Sequence, residues 1–295
     1  MGAGHLRWLH LNLASHGTRE WIERSNDMPK PVRQLMLSPD THQRAVIEKQ
    51  AVGLVLHDYE RDFDRADTAR IGALRVAILP KLIVTARMHP LRCADIMRGK
   101  LLDGENIRSA AAALEILVGS IIEDISEITR KLSREIQDTE DALFENSETP
   151  EGRDLMSIRR RLVQVHRMLV GMTATFARIE DDEDLPPHLE GAIEGLVQRI
   201  GGLDSDVAAS QSALRLLRDE LDLQATNRTN QNLYLLSVMT ALMLPATLVT
   251  GIFGMNTGGM PWAHAGAGTL AAALLAVAAA GLTYAILKRL GLFKR

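Results

Sequence analysis

Asparagine, serine and threonine side chains recur along one apolar stretch of the chain at a spacing that places them on one side of a helix. Asn230, Ser237, Leu244 and Gly251 stand seven apart, and Leu233, Thr240, Thr247 and Gly254 form a second series offset by three. Together they make a heptad stripe that is mostly polar or small. Asn256 follows Met255 just beyond it. Uncharged amide and hydroxyl oxygens suit a hard, hydrated cation, because Mg²⁺ sheds water reluctantly and is often held through its water shell. A ring of amide oxygens also lacks the deep electrostatic well of a carboxylate ring, so an ion can leave again. The same residue types serve close packing between membrane helices. The stripe alone leaves a watery lumen and tight helix packing both open. Pro245 frees the carbonyl of Ala241, which would serve a cation if it lay in a pore wall.

Other chemistry finds little support. The nine histidines show neither H-x-x-x-H nor H-E-x-x-H spacing, so no zinc-enzyme site is predicted. There is no phosphate loop, no G-x-G-x-x-G and no nucleophile elbow, so neither an enzyme nor a bound cofactor is expected. Cys93 is the one cysteine and has no internal disulfide partner, which fits a reducing compartment. The basic run Ile158–Leu162 reads as a helix face paired with acids, so no nucleic-acid partner is expected. The acidic run Glu180–Asp184, with Asp181, Asp182, Glu183 and Asp184, is either a weak regulatory divalent-cation site or a solvated loop.

The elements that must position the stripe follow from charge and periodicity. All 37 Asp and Glu lie before Gln231, and only four of the 34 Lys and Arg lie beyond it: Lys288, Arg289, Lys294 and Arg295. Residues 1–104 read as a cytoplasmic α/β domain, with strands at Arg7–Leu13, in a pair within Arg44–Tyr59 and in a pair around Pro80, and a helix at Cys93–Gly104. Residues 105–232 read as a long-helix hairpin and a stalk. One amphipathic helix covers about Asn106–Asn146, a second covers Arg153–Ile179, and a third begins near His188 and does not stop. Residues 233–253 and 269–287 are two apolar spans, about 31 Å and 28 Å long as helices, against a hydrocarbon core of about 30 Å. Residues 254–268 form the loop between them, turned by Gly258, Gly259 and Pro261 and carrying His264, which reads as an ion-capture or proton-sensing group or as a plain exposed histidine. Residues 288–295 form a basic tail. Basic residues flank both spans and are absent from the loop, which places both termini in the cytoplasm.

At this point the sequence resembles a known family, the CorA-type divalent metal ion transporters. The motif is Gly254-Met255-Asn256, placed between two C-terminal spans, after a very long helix and before a basic terminus. The preceding LPATLVTGIFGMN, with Pro245, Thr247 and Gly251, is also similar to the family. Architecture matches over nearly the whole chain, and detailed motifs match over about Asn227–Pro261. Phe253 stands where magnesium-type members usually have tyrosine, and the outer loop has no acid, which resembles the zinc-transport branch, ZntB. The resemblance implies an α+β cytoplasmic domain with a long helical hairpin and a stalk helix, then a two-helix transmembrane segment, in a CorA-like homopentameric funnel. It implies an axial pore lined by Asn230, Leu233, Ser237, Thr240, Leu244, Thr247 and Gly251, with Gly254, Met255 and Asn256 at the outer mouth. Asn256 would meet the ion through its hydration shell.

The four basic residues Lys288, Arg289, Lys294 and Arg295 would form a collar and meet lipid headgroups. The cargo expected is Zn²⁺ or Mg²⁺, with Co²⁺ and Ni²⁺ in range, across a bacterial-type inner membrane, without ATP hydrolysis and with proton coupling left open. Partners are then other copies of the chain, lipids and divalent ions. The N-terminal domain is shorter than the family's usual one, so early strands are absent or the start is truncated. A non-conducting, membrane-anchored scaffold or stress sensor of the same fold stands as the alternative, and a soluble enzyme as a third reading.

Overall fold

A computed structural model describes residues 6–61, 70–102, 107, 109–144, 152–255 and 268–289. The chain forms two compact units, Met1–Leu217 and Arg218–Arg295.

The first unit is built on five strands: β1 (Arg7–Asn12), β2 (Arg44–Glu48), β3 (Ala51–Tyr59), β4 (Ile71–Leu79) and β5 (Leu82–Arg87). Their order across the sheet is β1-β5-β4-β3-β2. β1 runs parallel to β5 and the remaining pairs are antiparallel. β2 and β3 are joined by Lys49 and Gln50, whose φ angles of 49° and 65° make the left-handed turn that a two-residue hairpin requires. Side-chain alternation divides the sheet into two faces. On one face Ala51, Val55, Ala77, Leu79, Val84 and Ala86 share a core with Ile22, Val32, Leu35 and Met36. Those four partners come from two helices, α1 (His16–Arg24) and α2 (Lys30–Leu37).

The other face meets α3 (Arg92–Leu102), α4 (Ala110–Phe144) and α5 (Gly152–Glu180). Buried residues at threes and fours explain the long helices: Leu114, Leu117, Ile121, Ile125, Leu132 and Ile136 on α4, and Ile158, Leu162, Val165, Leu169, Met172 and Phe176 on α5. Gln43 ties the loop before β2 to α5. Its Nε2 donates to the Met168 carbonyl at 2.8 Å, and its Oε1 accepts the His57 N–H at 3.3 Å. Gly171 makes room for this contact, since a Cβ there would collide with the Gln43 amide.

The expected strands and long helices are present. The short helices α1 and α2 join the expected elements, and on early α4 Ala112 and Ile116 are only half-buried. The fully covered positions there are Ala113, Leu114, Leu117 and Val118.

Helix α6 (Pro187–Gly254) is a single 68-residue helix that continues through Pro245. Within the first unit it buries Leu189, Ile193, Leu196, Ile200, Leu203, Val207, Leu214 and Leu217. The second unit holds the remainder of α6 and α7 (Gly268–Arg289). α6 and α7 are both long and apolar enough to cross a membrane, and their apolar windows are almost wholly uncovered.

Candidate functional site

From Leu233 to Met255 the partly covered residues of α6 are Val238, Ala241, Leu242, Pro245, Ala246, Val249 and Phe253. On α7 they are Ala271, Ala272, Ala279, Ala280, Thr283 and Leu287, with Ala276 buried. Both sets recur at threes and fours, so each marks one side of its helix.

The polar stripe lies on the opposite side of α6. At 3.6 residues per turn, Ser237, Thr240, Leu244, Thr247, Gly251 and Gly254 point away from the covered positions, and all six are exposed. Asn230 and Leu233 are exposed as well. Thr240, Leu244, Thr247 and Gly251 line a shallow groove together with Met243, Leu248, Ile252 and Met255. Among the described residues a Cβ added at Gly251 or Gly254 would meet no atom within 4 Å, so neither glycine serves packing against them. Pro245 and Ala241 sit on the half-covered side. The carbonyl that Pro245 frees therefore belongs to that side and does not join the stripe.

The hydroxyls are already committed on one side. Ser237 Oγ donates to the Leu233 carbonyl at 2.8 Å, Thr240 Oγ1 to Leu236 at 2.8 Å and Thr247 Oγ1 to Met243 at 2.9 Å. Each gives its one hydrogen to the preceding turn and keeps its oxygen lone pairs for whatever faces the stripe. Water in a cation's shell turns its hydrogens outward, so an acceptor-only surface matches a hydrated cation and mismatches a hydrated anion.

Asn256, Gly258, Gly259, Pro261, His264, Lys294 and Arg295 lie outside the described residues. Lys288 and Arg289 close the last turn of α7, where a helix C-terminus favours positive charge. The acidic run follows the end of α5. Asp181, Glu183 and Asp184 are exposed, and Asp182 Oδ1 accepts the Asp184 N–H at 3.0 Å. Among the described residues no group of three or more His, Cys, Asp or Glu side chains is placed to hold a metal ion, this run included.

The comparison that decides the family covers almost the entire chain: residues 3–289 match the model of the CorA-like Mg2+ transporter protein. The chain belongs to this family. The zinc transport protein ZntB of Pectobacterium carotovorum subsp. carotovorum (strain PC1) is 27% identical over 277 residues, 93% of this chain and 84% of that protein. Two solved structures share the fold. The full-length CmaX protein superposes with a TM-score of 0.77 at 21% identity, covering 96% of this chain and 88% of its own. The CorA magnesium transporter from Methanocaldococcus jannaschii superposes with a TM-score of 0.79 at 17% identity, covering 97% and 90%. As a CorA-like chain with two helices fit to cross a membrane, the protein is a metal-ion transporter of the membrane rather than an enzyme.

Proposed function

We propose that this CorA-like chain assembles as a homopentamer and passes divalent cations through an axial pore, with Zn²⁺ favoured over Mg²⁺, Co²⁺ and Ni²⁺. The observation that carries the reading is the uncovered polar stripe of α6. Ser237, Thr240, Leu244, Thr247 and Gly251 are all exposed, on the side of α6 opposite its partly covered residues. In a bilayer the remaining lone pairs of the Ser237, Thr240 and Thr247 hydroxyls would find no donor in lipid. Copies of the stripe gathered around water provide them. The number five comes from the family resemblance.

Asn230, Leu233, Ser237, Thr240, Leu244, Thr247 and Gly251 line the pore in this reading, and Gly254, Met255 and Asn256 form its outer mouth. The ion passes with its water, because the stripe offers oxygen only, whereas bare Zn²⁺ prefers nitrogen and sulfur ligands. The preference for zinc rests on the named zinc transport relative and on the acid-free segment Thr257–Gly268. The membrane is a bacterial-type inner membrane with both termini cytoplasmic, since the basic residues flank the spans and avoid the loop. Lys288, Arg289, Lys294 and Arg295 meet anionic headgroups and ring the cytoplasmic mouth. A potential of 100 mV is worth about 2.3 kcal/mol per charge, so a divalent cation moving inward gains about 4–5 kcal/mol without ATP.

The test is Zn²⁺ uptake into proteoliposomes, comparing the wild type with Asn256→Ala and Thr247→Leu. The wild type should show flux well above protein-free vesicles, and each substitution should remove most of it. Background flux in all three would overturn conduction and leave a membrane-anchored scaffold. A competition series with Mg²⁺, Co²⁺ and Ni²⁺ in the same vesicles then ranks the ions.

A further inference from the structure

Asp58 lies near the end of β3 and is fully buried. Its Oδ2 accepts the backbone N–H of Cys93 at 2.8 Å, at the start of α3. Its Oδ1 is also buried and accepts no hydrogen bond among the described residues. The neighbouring strand places Gly72 opposite it, so β4 brings no charge. The charged and titratable groups around it come from β3, α3, α4 and α5. They are Tyr59, Cys93, Arg92 and Asp124, with Arg161 acting on Tyr59, and Asp124 is the like charge that acts on Asp58. Arg92 links these elements, pairing with Asp124 at 3.0 Å and standing 5.9 Å from the Tyr59 ring centre. The carboxylate therefore sits where the sheet, the first turn of α3 and the middle of α4 converge.

An ionised carboxylate in this place is costly. It has left water, one of its oxygens is unsatisfied, and a second carboxylate faces it. Against this stand only the Cys93 thiol and N–H at the start of α3 and, more weakly, the Tyr59 N–H, and burial outweighs them. A proton on Asp58 removes the buried charge and the repulsion across the junction. We propose that Asp58 is a proton-operated latch between the sheet and helices α3 and α4, loose when ionised and closed when neutral.

The direction of its titration agrees with the geometry. Burial, with Asp124 adding to it, pushes the Asp58 carboxyl up to about 6 from an ordinary value of 3.8. The folded chain thus holds this proton more tightly than an unfolded one. Stability from this group is fully present below the ordinary value and is lost as pH rises through about 6. Burial first, then Asp58, raises the Cys93 thiol, so Cys93 stays a neutral neighbour throughout.

The latch stands independently of transport, and its test reads the first unit within the full-length protein. Amide hydrogen exchange is followed over α3 and the facing stretch of α4, corrected for intrinsic rates, at about pH 7.5 and about pH 5. Protection in the wild type should rise about tenfold at the lower pH. In Asp58→Asn it should be high at both and show no such rise. Asp124→Asn leaves Asp58 intact and should move the midpoint of the wild-type response to lower pH. Equal pH dependence in the wild type and Asp58→Asn would overturn the proposal, as would a flat wild type. Should Asp58→Asn fail to fold, an unmoved midpoint in Asp124→Asn decides against it.

Discussion

One helix, α6, behaves in two opposite ways along its length. Between Leu189 and Leu217 most of its large apolar side chains turn inward at threes and fours, Leu216 being the exception. Between Leu233 and Met255 the large apolar side chains are exposed, and so is the stripe of hydroxyls and glycines. Backbone geometry is common to both stretches, so the surroundings must differ. The first stretch is satisfied by its own unit. The second needs lipid for its leucines and methionines and something wetter for Ser237, Thr240 and Thr247. The lesson is that an exposed residue on this helix has to be read against its neighbours around the turn.

Four substitutions test that contrast. The largest effect belongs to Val207→Asp, which buries an unpaired carboxylate in the first unit. A cost of about 3–5 kcal/mol is expected, seen as loss of monodisperse protein in size-exclusion chromatography. Next comes a pair of adjacent residues on different sides of α6. Met239→Asp puts a charge on an apolar, uncovered side and should cost about 2.5–3.5 kcal/mol of membrane insertion. Thr240→Asp, one residue further along but on the stripe, should cost less than half of that. The fraction of protein that resists carbonate extraction measures both, and equal losses would remove the distinction between the two sides. The smallest effect is Ser237→Ala. It deletes one acceptor from the proposed pore face and should lower Zn²⁺ flux about twofold, on the order of 0.4 kcal/mol, with insertion unchanged.

The long elements were legible because their periods are long. Ile158, Leu162, Val165, Leu169 and Met172 repeat often enough to fix both the helix and its buried side, and all five are buried. Early α4 was harder, since the run Ala110–Ala113 offers no contrast between one side and the other. α1 and α2 span only 9 and 8 residues, too short for a period to establish itself. Pro29 as the N-cap of α2 and Pro31 within its first turn were nonetheless a readable start signal. The polar stripe was readable from heptad spacing, whereas the partly covered side of α7 was not, because alanine lies all around that helix. Nor does any local pattern join Asp58 to Cys93 and Asp124. That junction exists only after sheet and helices have met.

The inward-bonded hydroxyls of α6 carry one more consequence. The hydrogens of Ser237, Thr240 and Thr247 are spent on the backbone of the preceding turn. A surface of this kind cannot hand a proton from one side chain to the next, because each relay would first have to break a bond to its own helix. In the proposed pore, any acid equivalent travelling with the metal would have to be carried by a file of solvent molecules, so drying that file would stop proton and metal together.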